Sequence, residues 1–189
     1  MIWHEEGFNA ENAHRRAVHN YSTGYDLILT IDADEVFKPE DIVRIIQKLE
    51  QGNYTSAGFK SCTFYGGFKH KLTGFEEECE FVMIRKFYPN AVWANHRPPT
   101  IELPPNTTPK HLSFNELAAE GILMYHYSYV FPRQVQEKVF YYENAVISPG
   151  KCIENYFNEV YLPWVTGTTA EKNEIEQKYR GVHEFNPQN

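Results

Sequence analysis

Two aspartates separated by one residue follow an apolar segment early in the chain. Residues 27–31 read LILTI, and Asp32, Asp34 and Glu35 come directly after them. An apolar run of this length predicts a strand buried on both faces. In an extended chain, Asp32 and Asp34 would point the same way, and two close carboxylates require a cation between them to stay ionised. Oxygen ligands at the carboxyl end of a strand therefore predict a divalent-cation site at the edge of an α/β sheet.

The same acids have less specific interpretations. They could form a solvated turn or precede a helix, which the sequence predicts from Pro39 to about Leu49. An EF-hand loop starting at Asp32 is a poor fit, because its sixth position is Phe37 rather than Gly and its twelfth is Val43 rather than Glu.

Composition limits the classes of protein to consider. The chain has 189 residues, enough for one domain with a substantial core, and a net charge of −7, which argues against a nucleic-acid partner. Its three cysteines, Cys62, Cys79 and Cys152, form no C-x-x-C pair, so we expect reduced thiols and a cytoplasmic location. The sequence contains neither a signal-peptide pattern nor an apolar run of the roughly 20 residues that a transmembrane segment needs.

Periodicity and turn residues predict alternating helices and strands. Predicted helices span residues 10–21, 39–49, 132 onwards and 168–181, the last beginning with a capping box at Thr168 and Glu171. Predicted strands span residues 27–31, 55–65, 80–88 and 122–129. The proline-rich segment 92–112 is expected to be a loop.

The order of several short segments supplies a more specific interpretation. HRRA at 14–17, TGYD at 23–26 and LTIDADE at 29–35 are followed by YHYSY at 125–129, QVQEK at 134–138 and GVHEF at 181–185. This order resembles the family 2 glycosyltransferases of the GT-A fold, whose Asp-x-Asp motif would be Asp32-Ala33-Asp34. The resemblance implies a single α/β domain with a GT-A-like mixed sheet flanked by helices, with the sheet core at 1–130 and a C-terminal helical segment at 131–189.

The resemblance also implies a reaction and a role for each matching residue. A sugar would pass from a nucleotide-sugar donor to a carbohydrate or other hydroxyl acceptor, with Mn²⁺ or Mg²⁺ as the cofactor. Asp32 and Asp34 would be the catalytic carboxylates, Asp32 against the ribose or the metal and Asp34 coordinating the ion that bridges the diphosphate. His126 would be a third metal ligand or a diphosphate contact. The alternative for His126 is a hydrogen-bonded histidine in a tyrosine-rich core.

Further residues are candidates for binding the donor or activating the acceptor. Arg15 lies in the matching helix, and Arg97, beside His96 in the proline-rich segment, has a planar fork that suits phosphate. An inverting enzyme would also need a carboxylate base. The pattern does not select among four candidates, which are Glu76, Glu77, Glu78 and Glu102.

The chain departs from the family at its N-terminal end. Only 31 residues precede Asp32, where the family has a strand, helix and strand that hold the nucleotide base, and Arg16 replaces the usual Asn. We therefore expect an N-terminally truncated fold with an exposed sheet edge, which favours self-association or a separate N-terminal partner. The alternative hypothesis is a non-catalytic, GT-A-derived binding or assembly module.

Overall fold

The computed structural model describes residues 26–74, 78, 80–88, 91–95, 100–144, 155–178 and 182–184. These residues form an α/β structure of mixed sheets flanked by helices, which confirms the predicted fold class at that level. Contacts group them into two compact units. Unit 1 holds the described residues of Met1–Asp32, Phe37–Lys60 and Glu80–Leu123, and unit 2 those of Ala33–Val36, Ser61–Cys79 and Met124–Asn189.

The strands are short and are numbered in chain order. They are β1 (Leu27–Leu29), β2 (Glu35–Val36), β3 (Ser56–Phe59), β4 (Ser61–Tyr65), β5 (His70–Leu72), β6 (Phe81–Lys86), β7 (Val92–Asn95), β8 (Thr100–Glu102), β9 (His111–Leu112), β10 (Met124–Tyr129) and β11 (Val182–Glu184). The helices of the described residues are α1 (Pro39–Gly52), α2 (Phe114–Ala119), α3 (Pro132–Asn144), a π-helix (Tyr156–Tyr161), α4 (Leu162–Thr166) and α5 (Thr169–Lys178).

Unit 1 contains a four-stranded sheet in the order β1-β6-β3-β9, in which β3 and β9 are parallel and the other pairs antiparallel. Helix α1 begins with Pro39, as predicted, and buries Ile45 and Leu49 completely or nearly so. It ends at Asn53, whose left-handed φ of 50° lets its N–H bond to carbonyls of the last turn. An apolar stripe at helical spacing, stopped by a left-handed residue, explains this element.

Strand β1 corrects the prediction of a strand buried on both faces. Among the described strands it lies at the edge of the sheet and pairs antiparallel with β6 alone. Leu29, the last residue of β1, and Ile31, two residues beyond it, are 41% and 42% exposed, so this segment is not buried on both faces. Since the pairing is antiparallel, the rule that ligands bind at the carboxyl ends of parallel strands does not apply to this edge.

Two other predicted boundaries are also wrong. The strand predicted at 55–65 breaks at Lys60, which separates β3 in unit 1 from β4 in unit 2. The segment 92–112, predicted as a loop, contains β9 and an antiparallel pair formed by β7 and β8. Its described prolines, Pro104, Pro105 and Pro109, stand outside these strands, at positions where a missing N–H does not interrupt a ladder.

Unit 2 contains a five-stranded sheet in the order β11-β5-β4-β10-β2. Strand β10 pairs in parallel with β4 and antiparallel with β2, so that His126 stands opposite Thr63 on one side and Glu35 on the other. The register shifts between His126 and Tyr129, which marks a bulge near the end of β10.

An aromatic core packs the C-terminal helices of unit 2 onto this sheet. Tyr65, Tyr161 and Trp164 are nearly or fully buried together with Val135 and Val139 of α3. Burial raises the pKa of Tyr161 to about 12. This packing fixes the position of α3 beside β10.

The capping box that begins α5 is confirmed. The backbone N–H of Thr168 donates to Glu171 Oε2, and Glu171 N–H donates back to Thr168 Oγ1. The predicted helix at 10–21 and the predicted helix end at Gly181 lie outside the described residues. Within the part of the chain that the structure describes, no helix is both long enough and apolar enough to cross a bilayer.

Candidate functional site

Asp34 lies in a turn rather than in an extended strand. Ala33 and Asp34 form the turn that leads into β2, so strand alternation does not set the directions of Asp32 and Asp34 as predicted. The Asp34 carbonyl accepts a hydrogen bond from the N–H of Tyr127 at 2.8 Å. This bond holds the turn against β10 and brings the Asp34 side chain to the residues of that strand.

The Asp34 carboxylate contacts two side chains of β10. Ser128 Oγ donates to Asp34 Oδ2 at 2.7 Å, and His126 Nε2 lies 3.6 Å from the same oxygen. The His126 imidazole first, and then the Ser128 hydroxyl, holds the pKa of Asp34 well below its usual range, against the opposing effect of partial burial. Asp34 is therefore an ionised carboxylate at neutral pH, and about a third of its side chain (33%) is exposed.

Two buried hydroxyl groups support the His126 ring on the side away from Asp34, through its Nδ1 atom. Its Nδ1 lies 3.3 Å from Thr63 Oγ1, which in turn lies 2.7 Å from Ser61 Oγ. Thr63 and Ser61 are 0% and 3% exposed, so this support is shielded from solvent. A cation bound between the two side chains would take the place of the Nε2 proton that faces Asp34, and Nδ1–H would then donate to Thr63 Oγ1. This is the arrangement by which metal-binding histidines are usually oriented.

Lys138 adds a cation to the cluster. Its ammonium donates to Ser128 Oγ and stands 4.7 Å from the centre of the Tyr129 ring. Lys138 was not among the residues predicted from the sequence, although it lies within the QVQEK segment that carried part of the resemblance. Its position next to Val139 and three residues after Val135, both buried, was the signal that this side chain begins at the packed side of α3.

The separation of Asp34 and His126 can be compared with that of two ligands that share a cation. Adjacent ligands of an octahedral ion, each about 2.1 Å from the metal, stand about 3 Å apart. The 3.6 Å between His126 Nε2 and Asp34 Oδ2 exceeds this separation by roughly half an ångström. Among the described residues, no three His, Cys, Asp or Glu side chains are grouped closely enough to hold a metal ion. The remaining ligands would be phosphate oxygens and water, as is common for Mg²⁺.

Comparison with known proteins adds no family assignment. No family profile matches the chain, no curated protein matches it, and no solved structure matches its fold. The resemblance to family 2 glycosyltransferases therefore depends on the order of the sequence motifs alone.

The other candidate residues divide into two groups. Asp32 is half-buried and belongs to unit 1, whereas Asp34 belongs to unit 2, and the role of Asp32 stays a prediction. Glu78 and Glu102 are exposed. The remaining candidates lie outside the described residues, and these are Arg15, His96, Arg97, Glu76 and Glu77.

Proposed function

We propose that the chain is a metal-dependent glycosyltransferase, which moves a sugar from a nucleotide-sugar donor to a hydroxyl acceptor. The observation that carries this proposal is the pairing of Asp34, an ionised carboxylate, with the hydroxyl-supported imidazole of His126. A carboxylate oxygen and a neutral imidazole are both suitable ligands for Mn²⁺. The order of the Asp-x-Asp segment and the His126 segment supports the same assignment.

The chemistry of sugar transfer makes use of these two residues. The departing nucleoside diphosphate gains negative charge, which a bound divalent cation would stabilise. Asp34 would supply a full negative charge toward that cation, and the Ser128 hydroxyl that donates to its Oδ2 stabilises that charge. Thr63 and Ser61 keep the His126 ring in one orientation, so little conformational entropy is lost when it binds.

Titration calorimetry with Mn²⁺ and a panel of UDP, GDP, CDP, ADP and dTDP tests the proposal. We expect at least one nucleotide to bind in the presence of Mn²⁺, and we expect Asp34→Asn and His126→Ala to abolish that binding. Glu80 and His111 of unit 1 are a matched control, since His111 Nε2 lies 2.8 Å from Glu80 Oε1. Glu80→Gln and His111→Ala should bind the nucleotide as the unchanged protein does.

Failure of every nucleotide to bind, with Mn²⁺ present and the protein folded, would contradict a transferase. Binding that survives both Asp34→Asn and His126→Ala would show that the nucleotide site lies elsewhere. Loss of binding in the Glu80 and His111 variants as well would mean that the loss reflects general destabilisation.

A non-catalytic binding or assembly module is the second candidate. Phe68 and Phe131 are 56% and 58% exposed, and their ring centres stand 5.9 Å apart. Neighbouring exposed aromatic rings are typical of surfaces that bind a partner. A concentration-dependent oligomer that Phe68→Ser and Phe131→Ser disperse, together with no nucleotide binding, would support this candidate.

A further inference from the structure

Lys138 occupies an unusual electrostatic position in the cluster. Its ammonium and the Asp34 carboxylate contact the same hydroxyl, that of Ser128, which accepts from the lysine and donates to the aspartate. Ser128 is 1% exposed, whereas Lys138 is half-buried and Asp34 is about a third exposed. The buried hydroxyl therefore fixes a positive and a negative group side by side, both of them within reach of solvent.

A ligand that carries a positive and a negative group close together would complement this arrangement. A divalent cation bound to a diphosphate presents a positive centre and anionic oxygens a few ångströms apart. Asp34 and His126 suit the positive centre, but the Asp34 charge repels the phosphate oxygens. An ammonium beside the carboxylate offsets that repulsion. Among its described contacts, Lys138 uses one of its three N–H donors on Ser128, so two remain for phosphate oxygens.

We infer that Lys138 is a diphosphate-binding residue of this site, whose ammonium donates to the phosphate oxygens while Asp34 and His126 hold the cation. The inference rests on the proposed function, since it assigns the phosphate contact of that same site. As the sugar leaves, the ammonium also neutralises charge that develops on the diphosphate. The packing of Lys138 over Tyr129 keeps its side chain extended toward Ser128.

Replacing Lys138 by Met should change the binding of two probes in opposite directions. Mn²⁺ alone should bind the Lys138→Met variant slightly more tightly, by about twofold to fivefold, because a nearby positive charge has been removed. The Mn²⁺ complex of inorganic pyrophosphate should bind it about tenfold or more weakly, because a charge-assisted hydrogen bond has been lost. Calorimetry measures both affinities without any need for the donor sugar. Lys138→Arg should retain most of the pyrophosphate affinity.

Lys172→Met is the matched control. Lys172 also belongs to unit 2 and also packs over an aromatic ring, that of Trp164 at 4.8 Å. This variant should bind both probes as the unchanged protein does. If Lys138 had only a structural role, Lys138→Met would bind both Mn²⁺ and its pyrophosphate complex more weakly. Weaker binding of Mn²⁺ alone would therefore contradict the inference.

Failure of the inference is distinguishable from failure of the proposed function. Suppose that the unchanged protein binds Mn²⁺-pyrophosphate and that Asp34→Asn abolishes this binding. If Lys138→Met then leaves the binding intact, Lys138 does not contact the phosphate, but the proposed metal site is retained. If the unchanged protein binds neither probe, both the proposed function and the role of Lys138 are overturned.

Discussion

Replacement of Asp34 by Asn should destabilise the protein at neutral pH and have a smaller effect in acid. The substitution preserves the size of the side chain and leaves an oxygen that can accept from Ser128, but it removes the negative charge. The charge matters to the folded state because the surroundings of Asp34 lower its pKa. The free energy of unfolding should therefore fall when the charge is removed.

The magnitude follows from the contacts of the carboxylate. A hydrogen bond to a charged group contributes about 1.5–3 kcal/mol and one between neutral groups about 1 kcal/mol, so losing the charge at the 2.7 Å bond from Ser128 costs about 1 kcal/mol. The attraction to His126 acts over 3.6 Å on a carboxylate that is a third exposed, and solvent screening limits it to less than about 1 kcal/mol. We expect a total loss of about 1–2 kcal/mol at pH 7.

The pH dependence has a definite sign. The folded pKa of Asp34 lies below the value of about 3.9 for an unfolded aspartate, so its stabilisation is complete above that value. As the pH falls below it, the unfolded chain takes up the proton first, and the stabilisation is lost progressively toward the folded pKa. The difference between the unchanged protein and Asp34→Asn should shrink by about 1 kcal/mol between pH 5 and pH 3.

Urea unfolding at several pH values, followed by tryptophan fluorescence, measures this difference. Trp164 is buried in the same unit as Asp34 and reports its unfolding. Glu102→Gln is the control, because Glu102 is exposed in unit 1. A difference for Asp34→Asn that stays constant from pH 7 to pH 3, or one below about 0.3 kcal/mol at pH 7, would refute the reasoning.

Two further pairs of substitutions test the hydrogen bonds of the site and the packing of two glycines. Ser128→Ala should lower the free energy of unfolding by about 1.5–3 kcal/mol, because it removes a hydrogen bond to the charged Asp34 carboxylate. Ser61→Ala removes a bond between two neutral hydroxyls and should lower it by about 1 kcal/mol. Equal losses of stability in urea unfolding would contradict the charged character of the bond to Asp34. Gly66→Ala should cost about 2–4 kcal/mol, because Gly66 has a φ of +62° and an added Cβ would stand 2.6 Å from the Trp164 ring. Gly121→Ala should cost only about 1–2 kcal/mol, because Gly121 has a φ of +75° but no atom lies within 4 Å of the added Cβ. If thermal unfolding showed a larger loss of stability for Gly121→Ala than for Gly66→Ala, the clash with Trp164 would be contradicted.

Elements with a strong local signal could be predicted from the sequence. Helix α1 has Pro39 at its start and an apolar stripe at helical spacing, and α5 has the reciprocal Thr168 and Glu171 bonds. Strands β6 and β10 fall within the predicted segments 80–88 and 122–129. In each case the residues that define the element are close in the chain, so local chemistry decides the outcome.

Tertiary pairing decided the elements that were predicted wrongly. The run LILTI has the composition of a doubly buried strand, but periodicity cannot distinguish this from an edge strand whose Leu29 remains exposed. Arg85, between Ile84 and Lys86 in β6, is only 9% exposed, and burial lowers its pKa to about 10. Neither the exposure of Leu29 nor the burial of Arg85 could be inferred without knowing which strands are neighbours.

The candidate site was predicted in part. Asp34 and His126 were singled out from separate segments, and the structure places them 3.6 Å apart. Ser128 was missed, although it lies two residues after His126 in β10, where a strand period of two places both on one face. Thr63 could not be found in this way, because its position opposite His126 depends on the parallel pairing of β4 and β10.

The most direct test of the account is a crystal of the protein soaked in Mn²⁺ and examined for anomalous scattering. We expect a Mn²⁺ peak within about 2.3 Å of an Asp34 carboxylate oxygen and of His126 Nε2, with Thr63 still bonded to Nδ1. A soaked crystal in which these two side chains keep their positions with no anomalous peak between them, or in which Mn²⁺ binds elsewhere, would contradict it.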